Sequence, residues 1–128
     1  MRRVIVESPF AGKGATKEER RADYLRKQRY LCACLHDCFM RGETPYASHA
    51  IGPLGLDDEI PEERELGIKA GFAWRLVAEA TVVYTDLGNS KGMDYGIAHA
   101  HEVGHPVEHR ELGPAWETKV TKKEHEHG

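Results

Sequence analysis

Residues 81–85, Thr-Val-Val-Tyr-Thr, form an uninterrupted run of β-branched and apolar side chains. Such a run is typical of a strand that is covered on both faces, as strands in parallel sheets are. Weaker strand patterns alternate with helical patterns along the chain: strands at 4–7, 44–49 and 105–109, and helices at about 17–40, at about 61–80 and from the turn 86–92 to 104. This order predicts a single α/β domain, with a parallel sheet of about four strands flanked by helices and joined by right-handed crossovers.

The helical patterns also predict which side chains face the core. In the first helix the apolar residues recur near a 3.6-residue period, at Tyr24, Leu31, Leu35, Cys38 and Phe39. In the second helix the predicted buried residues are Ile68, Phe72 or Ala73, and Leu76. The segment 50–60 contains glycines, Pro53 and an acidic run, and this composition predicts a loop.

Composition limits the classes of function. The 128 residues suffice for one domain whose core needs neither disulfides nor metal. A net charge of −3 gives no support for a nucleic-acid partner, which normally requires a basic face. No segment approaches a membrane span and the N-terminus lacks a signal-peptide pattern, so we expect a cytoplasmic protein with no membrane partner.

Three cysteines lie close together on the first predicted helix, at Cys32, Cys34 and Cys38. On a helix, Cys32 and Cys34 point about 200° apart, so the three thiols cannot converge on one ion. We therefore expect small buried core residues rather than metal ligands. We assign residues 1–110 to the α/β domain and residues 111–128 to a polar C-terminal tail.

The predicted topology indicates where a ligand would bind. Open parallel sheets bind ligands beyond the carboxyl ends of their strands. At that edge the sequence gathers residues 7–10, residues 48–49 and residues 86–92, which are rich in polar and glycine residues. We expect the functional site there.

The segment His101-Glu102-Val103-Gly104-His105 matches the HExxH pattern of zinc hydrolases. That chemistry needs both histidines one turn apart on a continuous helix, together with a third ligand. Gly104 weakens such a helix, and His105 precedes a proline, which disfavours helical backbone. A zinc hydrolase is therefore the least favoured of three functions considered, and we assign no metal ligand.

Several short motifs stand in order along the chain, at residues 4–12, 56–58 with 61–64, 90–93 and 104–107. Together they resemble the small phage and bacterial proteins related to nucleoside 2-deoxyribosyltransferases. The superfamily includes the deoxynucleoside monophosphate N-glycosidases, and the resemblance covers about residues 3–109. It implies a flavodoxin-like sheet and the cleavage or exchange of an N-glycosidic bond. We expect no cofactor.

The resemblance also implies site residues. In those enzymes, the loop after the first strand and the turn before the third helix hold the sugar and any phosphate, which implies ligand contacts from Ser8, Phe10, Gly12, Ser90 and Gly92. Free N–H groups at a helix start suit an anionic ligand, although a loop with a serine cap is the alternative. His49 is either a ligand contact or a structural histidine. Those enzymes commonly form oligomers in which neighbours complete the pocket, so a homo-oligomer is expected.

One position departs from the family pattern. The family's nucleophile is a glutamate on the third helix, and Gly96 stands at that position. The candidate replacements are Asp94, Asp86 and Asp58. On a helix Asp94 points about 200° away from position 96, so it reaches the pocket only if the helix begins after it. Retaining chemistry requires two carboxyl groups about 5 Å apart. The alternative is a protein that binds a nucleotide-like ligand without cleaving it.

Overall fold

The computed structural model describes residues 1–118. Strands and helices follow one another as β1 (Arg2–Glu7), α1 (Lys17–Met40), β2 (Glu43–Tyr46), α2 (Ser48–Gly55), α3 (Pro61–Val77), β3 (Ala80–Tyr84), α4 (Lys91–Glu102) and β4 (Val107–Arg110). Within this part of the chain, no helix combines the length and the hydropathy that a membrane span requires.

The four strands form one parallel sheet in the order β2-β1-β3-β4. The chain moves from β1 to β2 in one direction and then returns past β1 to β3 and β4 in the other. Right-handed crossovers therefore place α1 on one face of the sheet, and α3 and α4 on the other. The predicted α/β fold, with a parallel sheet of four strands flanked by helices, is confirmed.

The hydrophobic core on the α1 face is built from alternate strand residues and from α1. Its members are Val4, Val6, Tyr30, Leu31, Cys34, Cys38, Ala47, Ala80, Val82, Tyr84 and Trp116. The prediction of buried cysteines is correct for Cys34 and Cys38, whereas Cys32 is exposed because it points away from the sheet. Phe39, also predicted to face the core, is 54% exposed.

The segment after β4 contributes to this core. Trp116 is buried, with its ring edge-on to Tyr30 at 5.0 Å between centroids. Residues 111–118 were assigned to a polar tail, yet they bring a large aromatic side chain onto α1. The rest of that predicted tail, residues 119–128, lies outside the described residues.

Helix α2 was not predicted from the sequence. The second strand ends at Tyr46 rather than extending to residue 49, and the predicted loop that follows contains this eight-residue helix. Gly52, Pro53 and Gly55 obscured it, because each of these residue types lowers helix propensity. The correction matters for function because it places His49 in the first turn of a helix.

Helix α3 presents a different face to the sheet from the one predicted. Ile68 and Leu76, which were expected to be buried, are exposed, whereas of the alternatives Phe72 and Ala73 the first is half-buried and stacks on His99. The buried residues are Gly71 and Arg75. A Cβ at position 71 would lie 2.9 Å from Oγ of Ser48, so glycine allows α3 to pack closely on α2. Arg75 reaches the sheet through a buried ion pair with Glu7. The spacing of apolar residues predicts which apolar side chains a helix buries. It could not predict that α3 is oriented by a buried arginine.

A charged network joins the two edge strands on the α1 face. Arg110 donates to both carboxylate oxygens of Glu43, at 2.8 and 2.7 Å, and to the hydroxyl of Tyr84 at 3.2 Å. Glu108 contacts the same guanidinium at 3.0 Å and also pairs with Arg2. The hydrogen bonds from Arg110 hold the pKa of Glu43 below its usual range. Since Glu43 begins β2 and Arg110 ends β4, this network ties the edges of the sheet together.

Helix α4 packs against the end of β1 at Gly96. A Cβ at this position would lie 2.2 Å from Oε2 and 2.6 Å from Cδ of Glu7. No side chain fits there unless Glu7 moves, because its carboxylate already fills that volume. One turn earlier, a Cβ at Gly92 would have only Ser90 Oγ nearby, at 3.9 Å.

These two glycines predict opposite responses to the same substitution. Gly96→Ala should lower the free energy of unfolding by about 1–3 kcal/mol, the usual effect of overpacking a close contact. Gly92→Ala, at an exposed position of the same helix, should be neutral or stabilising by up to about 1 kcal/mol. Urea unfolding followed by circular dichroism measures both values. Equal effects of the two substitutions would contradict the close contact between α4 and Glu7.

Candidate functional site

The carboxyl ends of β1 and β3 lie side by side at the reversal of strand order. Ligands of open parallel sheets bind in the crevice outside such a reversal. β1 ends at Glu7 and β3 ends at Tyr84, so the loop after β1 and the turn before α4 both begin here. Helix α2 adds its first turn to the same region through a hydrogen bond to Ser8.

Ser8 and His49 form a hydrogen-bonded pair at this edge, with 2.9 Å between Oγ and Nε2. The ring of Phe10 contacts the imidazole edge-on at 6.0 Å and Tyr24 at 5.5 Å, between centroids. Burial lowers the pKa of His49 to about 4, so its ring is uncharged at neutral pH. Its Nδ1 is buried and has no hydrogen-bond partner within residues 1–118. A buried polar atom of this kind normally has a partner, so the pair can accept a hydrogen-bonding group of a ligand.

Glu7 adds a carboxylate that sequence reasoning did not single out. Its Oε2 accepts from Nη2 of Arg75 at 2.8 Å, and the two side chains are 8% and 2% exposed. Arg75 also donates to Oγ1 of Thr81 at 2.6 Å. Burial raises the pKa of Glu7, while Arg75 opposes that shift. The available signals were weak: a glutamate that ends a buried strand, and an arginine within an apolar helix.

The turn before α4 starts from the carboxyl end of β3, the strand that pairs with β1. The Ser90 hydroxyl accepts from the N–H of Met93 at 3.2 Å, so Ser90 acts as the helix cap that was the alternative to a ligand contact. Gly92 is exposed and leaves the backbone open. Asp94 is exposed in the first turn, and its carboxylate has no partner among the described side chains.

Helix α4 begins at Lys91, before Asp94. Asp94 was expected to reach the pocket only if the helix began after it, and this condition is not met. Because Gly96 faces Glu7, Asp94, two residues earlier, lies on the exposed side of α4.

Two other predicted site residues, Gly12 and Asp58, do not contact Ser8, His49 or Glu7. A Cβ at Gly12 would lie 2.0 Å from the carbonyl oxygen of Arg20, so this glycine allows the loop after β1 to pack against α1. Asp58 is exposed in the loop between α2 and α3 and contacts none of the residues named above.

Asp86 is engaged in structural hydrogen bonds. Its carboxylate accepts from the Tyr30 hydroxyl at 2.6 Å and from the backbone N–H groups of Leu112 and Gly113, at 2.9 and 3.0 Å. Burial alone would raise the pKa of Asp86, but these hydrogen bonds lower it overall. Asp86 therefore anchors the segment after β4 to α1.

The HExxH segment is not a continuous helix. α4 ends at Glu102, and Gly104 takes a left-handed backbone with φ of 68°. Nε2 of His105 donates to the carbonyl oxygen of Ala78 at 2.8 Å, and Nδ1 lies 3.0 Å from Thr81 Oγ1. Among residues 1–118, no three His, Cys, Asp or Glu side chains converge in a way that suits a metal ion.

The lowered pKa of His49 predicts a pH-dependent part of the stability. Unfolded histidine titrates near pH 6.5, whereas folded His49 titrates at about 4. The unfolded state therefore binds more protons between these values, so this stability is fully present above about pH 6.5 and is lost as the pH falls toward 4. His49→Gln keeps a polar group near Ser8, and its free energy of unfolding should fall less than that of the wild type over this window, by up to about 3 kcal/mol.

Urea unfolding between about pH 7 and pH 4.5 measures this difference. His36→Gln, which removes an exposed imidazole from α1, is the matched control. Parallel pH curves for the wild type and His49→Gln would show that burial does not hold His49 neutral.

Comparison with known proteins supports the architecture. The fold matches a solved 2-deoxyribosyltransferase from the psychrotolerant bacterium Bacillus psychrosaccharolyticus, with a TM-score of 0.55 and 17% identity, over 88% of this chain and 74% of that one. At this identity the likeness shows the fold alone. A comparison with curated protein sequences gave no match.

A family match covers most of the chain. Residues 2–110 match the family described as Domain of unknown function (DUF7768). These residues include all four strands and the candidate site, from Ser8 to Asp94. The chain therefore belongs to the DUF7768 family.

Proposed function

We propose that this protein binds a nucleoside, a nucleotide or a related metabolite at the carboxyl edge between β1 and β3, and cleaves or transfers its N-glycosidic bond. One observation carries the proposal: the Ser8–His49 pair, whose buried Nδ1 has no partner within residues 1–118, lies at the strand-order reversal. The fold shared with a 2-deoxyribosyltransferase supports this class of ligand.

The base would lie against the Ser8–His49 pair. Neutral His49 offers an unpartnered nitrogen to a ring atom or exocyclic group, and Phe10 offers an apolar surface beside it. The sugar, with any phosphate, would lie at the turn before α4, where Gly92 leaves the backbone accessible. Ser90 would act there mainly by holding the helix start in place.

Of the three predicted carboxylates, we assign the role to Asp94, which lies in the first turn of α4, next to the turn where the sugar would lie. The oxygens of Asp86 already accept from Tyr30 and from the backbone after β4, and Asp58 lies in a separate loop. Asp94 is exposed, and no hydrogen bond or ion pair engages its carboxylate within residues 1–118. An ionised carboxylate can attack or stabilise the anomeric carbon as the glycosidic bond breaks.

Incubation with a panel of nucleosides and nucleoside monophosphates, followed by reversed-phase chromatography, should reveal a released base. Asp94→Asn should lower the rate of release by about 100-fold or more, because it removes the attacking oxygen. Glu102→Gln, which changes an exposed carboxylate at the other end of α4, is the matched control and should keep the wild-type rate.

Two outcomes would contradict parts of this proposal. Full activity in Asp94→Asn would move the role to another carboxylate. A panel member that raises the melting temperature without releasing a base would identify the protein as a binding protein without catalysis.

We also propose that the protein self-associates through α2 and α3. Large apolar side chains are exposed on these adjacent helices: Ile51, Leu54, Leu66, Ile68, Trp74, Leu76 and Val77. Large exposed apolar side chains on two adjacent helices favour an interaction surface. The relatives in the resembled family assemble as oligomers, which agrees with a second copy as the partner.

Light scattering after size-exclusion chromatography should show a dimer or larger assembly. Leu76→Glu places a charge on the proposed interface and should shift the protein toward the monomer, since an unpaired buried charge is unfavourable. Met40→Glu changes a residue that is 74% exposed at the end of α1 and should leave the assembly intact. A monomeric wild type would refute the interface.

A further inference from the structure

We propose that the Ser8 hydroxyl fixes His49 as a hydrogen-bond donor, so that the site prefers a base with a carbonyl oxygen to one with an amino group at the same ring position. This inference rests on the proposed binding of a nucleoside or nucleotide. It names the chemistry of the base that the Ser8–His49 pair selects.

The hydrogen bonds of Ser8 are the first argument. A serine hydroxyl has one proton to donate, and a buried hydroxyl normally donates it. Ser8 is 3% exposed, and its Oγ lies 2.9 Å from Nε2 of His49. Among residues 1–118, no other group is hydrogen-bonded to this hydroxyl. The Ser8 proton therefore goes to Nε2, and the histidine nitrogen accepts it.

The protonation of the imidazole is the second argument. The ring of His49 is uncharged at neutral pH, because burial lowers its pKa to about 4. A neutral imidazole carries a proton on one of its two nitrogens and accepts at the other, and the hydrogen bond made by one nitrogen determines the role of both. Since Nε2 accepts from Ser8, the proton of His49 lies on Nδ1.

Nδ1 is then a buried donor in need of an acceptor. This nitrogen has no hydrogen-bond partner within residues 1–118. A buried donor that makes no hydrogen bond is unfavourable, so a ligand that supplies an acceptor to it is bound more tightly. The carbonyl oxygen of an oxo base is such an acceptor.

An amino group at the same place leaves a buried donor unpaired in either form of the pair. If the proton of His49 stays on Nδ1, two donors face each other. If it moves to Nε2, Nδ1 accepts from the amino group, but Ser8 must then accept from Nε2. The Ser8 proton is left without an acceptor within the described residues. Selection of the base therefore depends on Ser8 even where His49 alone contacts it.

The position of the His49 proton is measurable without a ligand. Long-range proton–nitrogen NMR spectra distinguish the two neutral forms of an imidazole, and His49→Gln identifies the signals by their loss. In the wild type at neutral pH the proton should lie on Nδ1. In Ser8→Ala, which removes the donor to Nε2, the form with the proton on Nε2 should become populated. A wild-type His49 with its proton on Nε2 would overturn the proposal.

Two pairs of ligands measure the selectivity: 2′-deoxyinosine against 2′-deoxyadenosine, and 2′-deoxyuridine against 2′-deoxycytidine. Within each pair an oxo group replaces an amino group on the same ring. Dissociation constants from calorimetry, or kcat/KM where a base is released, should favour the oxo member of the better-bound pair by about tenfold or more. Ser8→Ala should reduce this ratio to less than about threefold, because Nδ1 is then free to accept or to donate.

Two further variants separate the hydroxyl from the fold. Ser8→Thr keeps a hydroxyl at this position and should retain both the proton on Nδ1 and the preference for the oxo base. Ser48→Ala is the matched control, since Ser48 adjoins His49 in the first turn of α2 but packs against Gly71 of α3. Its variant should keep the wild-type ratio even if its melting temperature falls.

The outcomes distinguish this inference from the proposed function. Equal binding within both ligand pairs, a preference for the amino member, or an unchanged ratio in Ser8→Ala would overturn the role of Ser8 and leave nucleoside binding intact. A wild-type protein that binds none of the four nucleosides or their 5′-monophosphates would overturn both.

Discussion

A single ion pair, buried between the sheet and two helices, sets the geometry of the candidate site. Removing a charge from water is unfavourable by several kcal/mol, so Glu7 and Arg75 must remain partnered. Helix α3 therefore turns Arg75 inward and leaves apolar residues such as Leu76 in solvent. The Glu7 carboxylate in turn requires a residue without a side chain at position 96 of α4. The orientations of both helices thus follow from one pair of charges.

Most of the fold could be predicted because its signals are local. The run at 81–85 predicts a strand covered on both faces, and the apolar period of α1 predicts that helix with its observed bounds, Lys17–Met40. The errors arise where local signals are weak or misleading. Glycine and proline obscured α2, and periodicity assigned the wrong face to α3, because Arg75 is buried by a partner that lies far away in sequence.

The sequence predicts where the candidate site would lie, but few of the contacts within it. Parallel topology predicts that the ends of β1 and β3 form a crevice, and Ser8 and His49, both named from the sequence, are hydrogen-bonded there. Neither Glu7 nor the structural engagement of Asp86 could be read from spacing, because both depend on residues far along the chain. The HExxH segment is an example of a motif that the sequence suggests and the structure does not support. Such a motif can bind zinc only if its two histidines lie on one continuous helix, and only the backbone shows whether they do.

The hydrogen bonds of Asp86 bear on where this domain ends. The family match stops at residue 110, with the last strand. Asp86 nevertheless accepts from the backbone of Leu112 and Gly113, and Trp116 covers Tyr30. A chain cut after the last strand would uncover an aromatic ring and remove two of the donors of a partly buried carboxylate. The unit that folds is therefore longer than the unit that sequence comparison recognises, and its boundary is set by an aspartate between β3 and α4.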